Sequence, residues 1–111
     1  LLLAKAAGLN ASEAEVVMSG TQAVALIVRF DRPRAGGRIP YLSAASLLQL
    51  DAREEGAYTQ IAEAIDRFST SPLVDKQELW ARVCFSMLIT NVDDHMHNHG
   101  FLHSGGGQWR R

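Results

Sequence analysis

The chain has 111 residues, 47% of them hydrophobic and 21% charged, proportions of a folded globular protein with room for one core and not two. Eleven Lys and Arg against 12 Asp and Glu give a formal net charge of -1, so composition offers no basic surface to nucleic acid and no charge run to an anionic membrane. The single cysteine, Cys84, cannot make an internal disulfide; in the apolar run Val83-Cys84-Phe85 it reads as a buried, inert thiol, which suits a reducing cytoplasm.

The opening LLLAKAAGLN is apolar but short and has no cationic stretch before it, so it fits neither a signal peptide nor a membrane span. Leu2, Leu3 and Ala6, with Ala7, recur at helical spacing, and Gly8-Leu9-Asn10 is a helix exit with glycine at the left-handed cap. The segment reads as the last turns of a helix. With no initiator Met, the chain reads as an internal piece of something longer.

Glu15 to Met18 and Ala23 to Phe30 are β-branched and apolar, with Ser19-Gly20-Thr21-Gln22 between them, which predicts a β-hairpin. Its second strand, AVALIVRF, is almost continuously apolar and should be covered on both faces, although a buried helix shares that pattern. Asp31 to Arg38 then brings one Pro, two Gly and three Arg, a surface loop.

Beyond the loop the texture is helical. Ser43 to Leu48 is a short helix, and Thr59 to Phe68 places Ile61, Ala62, Ile65 and Phe68 on one face before Ser69 to Pro72 ends it. A longer helix follows, with Asp75 and Glu78 at capping-box spacing and Leu79, Trp80, Val83, Met87 and Leu88 as a buried stripe reaching Ile89 or Thr90. Trp80 and Phe85 read as core aromatics. Gly100 to His103 and Gln108 to Arg110 flank Ser104 to Gly107 as a second hairpin. The fold class is α+β, mainly helical, with no internal repeat and one change of texture near Asp31.

Between the long helix and the last hairpin lies TNVDDHMHNHG, Thr90 to Gly100. Three readings stand side by side. His95, His97 and His99 at alternate positions would share one side of an extended strand, and with Asp93 and Asp94 could hold zinc or manganese for a metal-dependent hydrolase. Asp93 and Asn98, five positions apart after a buried helix, match the interval at which a kinase loop sets an aspartate on the substrate hydroxyl and an asparagine on magnesium. Phosphoryl transfer needs a carboxylate near the attacking oxygen and a neutral oxygen donor to a hard cation, which an amide supplies without adding charge. Alternatively, Asx residues merely turn the chain between a helix and a strand.

NVDDHMHNHGFL resembles the N-[TV]-D-[DG]-H-x-x-N-[FH] loop signature of HipA-type serine/threonine kinases, the toxins of bacterial toxin-antitoxin pairs. AKAAGLN before the hairpin, IVRFDR at its end and RIPYLSAASLLQLDAREEGAYTQIAEAI before the long helix resemble the same family in order and spacing. The resemblance implies a protein-kinase-like fragment: residues 1–30 as the end of the N-lobe, and residues 31–111 as a partial helical C-lobe with the catalytic loop and a terminal hairpin. It implies ATP and Mg²⁺, with Asp93 as the catalytic aspartate, His95 steadying the loop, Asn98 on the metal, and Val28, Arg29 and Phe30 as the hinge against adenine. It also implies a DNA-binding HipB-like antitoxin and a protein substrate, aminoacyl-tRNA synthetases being targets of some members.

A complete kinase also carries a glycine-rich phosphate loop, a phosphate-binding lysine and a second magnesium aspartate. Gly105 to Gly107 make a hairpin tip with no helix behind them, not a phosphate loop. The 111 residues are therefore expected to be catalytically silent alone, and a non-catalytic module docking a partner through the Thr59 to Phe68 helix is the alternative. His97, His99 and Asp94 read as bystanders, Arg29 and Arg32 as surface cations, and Tyr41 and Tyr58 as uninformative.

Overall fold

The computed structural model describes residues 1–51 and 54–111. Ala52 and Arg53, inside the third stretch of the family resemblance, lie outside the described residues. The chain is mixed α+β and divides into two compact units, Leu1–Arg38 and Ile39–Arg111.

In the first unit, helix α1 (Leu2–Ala6) ends as the sequence predicts: Gly8 takes a φ of +80°, Gly8 N–H donates to Lys5 O and Leu9 N–H to Ala4 O. Those paired bonds satisfy carbonyls that the helix end would otherwise leave bare. Strands β1 (Ala14–Ser19) and β2 (Gln22–Ile27) pair antiparallel from Ala14 opposite Ile27 to Ser19 opposite Gln22. Gly20, at φ +63°, opens a two-residue turn whose left-handed first position matches the strand twist.

Two expectations for this hairpin change. The second strand ends at Ile27 rather than Phe30, and the last main-chain bond beyond it runs from Val28 N–H to Glu13 O at 2.8 Å. Every residue of both strands is exposed, where the apolar run predicted cover on both faces. A two-stranded ribbon has no second layer to bury its faces against, and Leu9 is the unit's buried hydrophobic residue among those described.

The second unit contains β3 (Tyr41–Ser43), α2 (Ala44–Leu47), α3 (Tyr58–Phe68), α4 (Pro72–Leu88), β4 (Gly100–Gly105) and β5 (Gln108–Arg110). The sheet order is β3-β4-β5, all antiparallel, with Leu42 opposite Phe101 and His103 opposite Trp109. Gly106 and Gly107 both have positive φ, 58° and 76°, as the predicted glycine-rich hairpin tip requires. Strand β3 was not legible in the sequence: three residues after a proline carry too little alternation, and their partner lies some sixty positions downstream.

Ile61 and Ile65 of α3, Phe101 of β4, Ala44 and Ala45 of α2 and Leu79 of α4 form the core. Helix α3 follows its predicted stripe closely, and Gln60 Oε1 reaches back to accept the Ala57 N–H at 2.7 Å, meeting a donor that the helix start would leave unpaired. Helix α4 begins four residues earlier than the Asp75 cap predicts, with Ser71 before it and Pro72 in the first turn, where proline's missing N–H is no loss. Asp75 is instead a buried acceptor: its Oδ2 takes Ser69 Oγ at 2.6 Å and Arg111 N–H at 3.0 Å.

The buried stripe of α4 also narrows. Leu79 is buried and Val83 partly so, but Trp80, Met87 and Leu88 are 70%, 76% and 84% exposed. A 17-residue helix is about 25 Å long and outruns the small core; residues 73, 80 and 87, seven apart, line its other side. Cys84 is free and half-buried rather than buried. Among the described residues no helix is long and apolar enough to cross a membrane.

Candidate active-site loop

The loop starts with an unusual helix exit. Thr90 adopts φ +57°, with its N–H on Met87 O at 3.2 Å and Asn91 N–H on Ser86 O at 2.9 Å. This is the paired-bond exit normally given to glycine, here held by a β-branched residue. Asn91 Oδ1 then accepts Asp93 N–H at 3.3 Å, and Asn98 N–H closes a turn on His95 O at 2.8 Å.

Helix α2 fastens the loop from the other side. Its first two free N–H groups, on Ala44 and Ala45, donate to His99 O at 2.8 Å and Met96 O at 3.3 Å, so the unpaired donors of a helix start hold the loop's carbonyls. Ser43 caps the same helix, accepting Ser46 N–H at 3.1 Å. The Met96 side chain is buried in the core, and a Cβ on Gly56 would collide with it.

Between these anchors the side chains sort into two sets. Asp93, His95, His97 and Asn98 face out, whereas Met96 and His99 are buried and Asp94 is nearly so. Asn98 Nδ2 donates to the backbone carbonyl of Asp93, so the expected catalytic aspartate and the expected magnesium asparagine are joined across their five-residue interval. The Asp93 carboxylate is 86% exposed, with His95 Nε2 3.7 Å from it. Asn98 Oδ1 is a hard, neutral oxygen donor that suits magnesium, which takes one or two protein ligands and completes its shell with phosphate and water.

The histidine-cluster geometry does not form. His95 and His97 meet edge to face with ring centroids 5.6 Å apart, but His99 turns inward and spends both ring nitrogens, on Asp94 Oδ1 at 2.8 Å and on the Arg111 guanidinium. Among the described residues no group of three or more His, Cys, Asp or Glu is placed to hold a metal. The bent loop, not an extended strand, separates the alternate positions.

The inward set is where the sequence reading fell short. Tyr58 Oη donates to Asp94 Oδ2 at 2.9 Å and its ring lies edge-on to His99 at 5.7 Å. Burial, and then the Arg111 charge, hold His99 below its ordinary pKa; burial, and then the bond to Asp94, raise Tyr58. Burial and the Arg82 charge bring Arg111 down to about 10, and its Nη1 has no hydrogen-bond partner among the described residues. Asp94 and His99 share the five-residue interval of Asp93 and Asn98, a signal the sequence offered; Tyr58 and Arg111 join from positions no local spacing points to.

Beside the loop lies a cleft of about 560 Å³, lined by His95 and His97 of the loop together with Leu50, Asp51, Glu54 and Glu55. The remaining predicted site residues belong to the first unit. Val28 and Phe30 are 57% and 58% exposed, and Arg29 makes a two-pronged pair with Asp31 at 2.7 Å on each arm, which holds the Asp31 pKa down at about 2.

Residues 1–111 match the model of a family described as "HipA-like C-terminal domain". Among solved structures the chain is similar to the HipA of Shewanella oneidensis MR-1, from its toxin-antitoxin complex of HipA, HipB and operator DNA. The TM-score is 0.85 at 21% identity, over 97% of this chain and 30% of that one. At that identity the likeness is one of fold, and the chain spans 30% of the length of the protein it matches. No curated protein sequence matches it.

Proposed function

Because the chain belongs to the HipA-like C-terminal domain family, we propose that its Thr90 to Gly100 loop is the catalytic loop of a HipA-type serine/threonine protein kinase. The reaction is transfer of the ATP γ-phosphate to a protein hydroxyl. The observation that carries this reading is the Asn98 amide bonded to the Asp93 carbonyl, which sets a carboxylate and a neutral amide oxygen on one exposed turn.

In this reading Asp93 orients the substrate hydroxyl and accepts its proton, Asn98 offers Oδ1 to magnesium, and His95 stands behind Asp93 as a support. Bound Mg·ATP supplies the phosphoryl group and the charge that neutralises it. The first unit is the end of the N-lobe, with Val28, Arg29 and Phe30 as the hinge that meets adenine; the exposed apolar β1–β2 ribbon accords with strands that belong to a wider sheet. The second unit is part of the C-lobe. The partners proposed with this reading are a HipB-like DNA-binding antitoxin and a protein substrate such as an aminoacyl-tRNA synthetase.

A second reading, a helical docking module, draws on Leu73, Trp80 and Met87 exposed along α4. It moves from α3, whose apolar face is spent on the core.

The test is transfer of labelled γ-phosphate by the protein at its natural length. Transfer should require Mg²⁺, and Asp93→Asn should lower kcat by about 10²- to 10⁴-fold, the usual worth of a positioned base. Transfer that survives Asp93→Asn at the wild-type rate would refute the assignment.

A further inference from the structure

The outward residues of the loop are short of anchors of their own, while the inward residues between them are tightly held. Asp94, next to Asp93, accepts on both carboxylate oxygens, from Tyr58 Oη at 2.9 Å and from His99 Nε2 at 2.8 Å. His99, next to Asn98, is 5% exposed and takes the Arg111 guanidinium on Nδ1. Arginine only donates, so Nδ1 is the bare nitrogen, and the neutral ring carries its proton on Nε2, aimed at Asp94.

The two pairs interlock. Asp93 and Asn98 are joined on the outside of the turn, Asp94 and His99 on the inside, each across five positions. The inside pair is tied to α3 through Tyr58, and Arg111 is tied in turn to Asp75 of α4. We propose that Asp94 is the positioning residue of this loop: with His99 and Tyr58 it fixes the turn on which Asp93 and Asn98 are displayed. The inference rests on the kinase reading for what is positioned, and on the hydrogen-bond order alone for how.

A loop that loses this tie keeps its reacting groups but not their alignment, and misplacement by about 1 Å can cost on the order of 10²-fold in rate. In the protein at its natural length, Asp94→Ala should lower kcat about 10- to 100-fold with KM for ATP within about twofold, the mark of an interaction made in the transition state. Asp94→Asn should recover most of that loss, because its amide oxygen can accept from His99 and its NH₂ can donate to Tyr58 Oη. Should Asp94→Ala fail to fold, Tyr58→Phe removes one hydroxyl and should still lower kcat severalfold. Nitrogen-resolved NMR of His99 should show the Nε2–H tautomer. Wild-type kcat in folded Asp94→Ala or in Tyr58→Phe, or an Nδ1–H tautomer, would overturn the positioning role. Asp93→Asn, measured alongside, separates the two claims: if it too keeps the wild-type rate, the kinase reading itself fails.

Discussion

Thr90 carries the clearest conflict between a residue and its backbone. A left-handed φ of +57° costs a residue with a Cβ roughly 1–2 kcal/mol, whereas glycine there gives back about 0.5–1 kcal/mol through its freer unfolded chain. The first term wins. Thr90→Gly is expected to stabilise the chain by about 0.5–1 kcal/mol, read from urea unfolding midpoints at unchanged slope; equal or lower stability would mean that the threonine side chain earns its place through contacts. No such strain was legible beforehand, because a helix exit without glycine carries no local mark. The glycine exit at Gly8 was legible, for the opposite reason.

At the scale of elements, what could be read followed what periodicity encodes. Helix α3 was legible because Ile61 and Ile65 sit one turn apart on a face that the core covers completely. Helix α4 was legible as a helix, but not in which side it buries, since apolar residues occur all around it and only tertiary packing chooses between Leu79 and Trp80. Its start was misread because Asp75 has the composition of a cap, while its actual partners, Ser69 and Arg111, are set by the tertiary fold. The two helices therefore predict opposite responses to truncation. Ile65→Ala should cost about 2–5 kcal/mol as a core cavity, and Trp80→Ala, 70% exposed, no more than about 0.5 kcal/mol. Thermal unfolding of the two variants decides this; a large loss at Trp80 would show that α4 is covered on that side in solution.

For the whole molecule, the α+β class and the order of elements, strand β3 excepted, were legible from sequence, and so was the Asp93 and Asn98 interval. The inner half of the loop was not, because buried polar networks assemble from positions such as Tyr58 and Arg111 that are distant along the chain. Counting histidines pointed to a metal cluster; the fold divides them, one locked inside and two at the surface. Where a cation sits when nucleotide is bound decides whether this loop is catalytic. Manganese, a hard cation that accepts the same oxygen ligands as magnesium, broadens the NMR signals of nuclei near it. With asparagine side chains labelled in the protein at its natural length, adding Mn²⁺ with a non-hydrolysable ATP analogue should erase the Asn98 NH₂ signal, whereas diamagnetic Mg²⁺ with the same analogue should leave it in place. An Asn98 signal that persists at saturating Mn²⁺ and nucleotide would contradict the magnesium assignment and the catalytic-loop reading built on it.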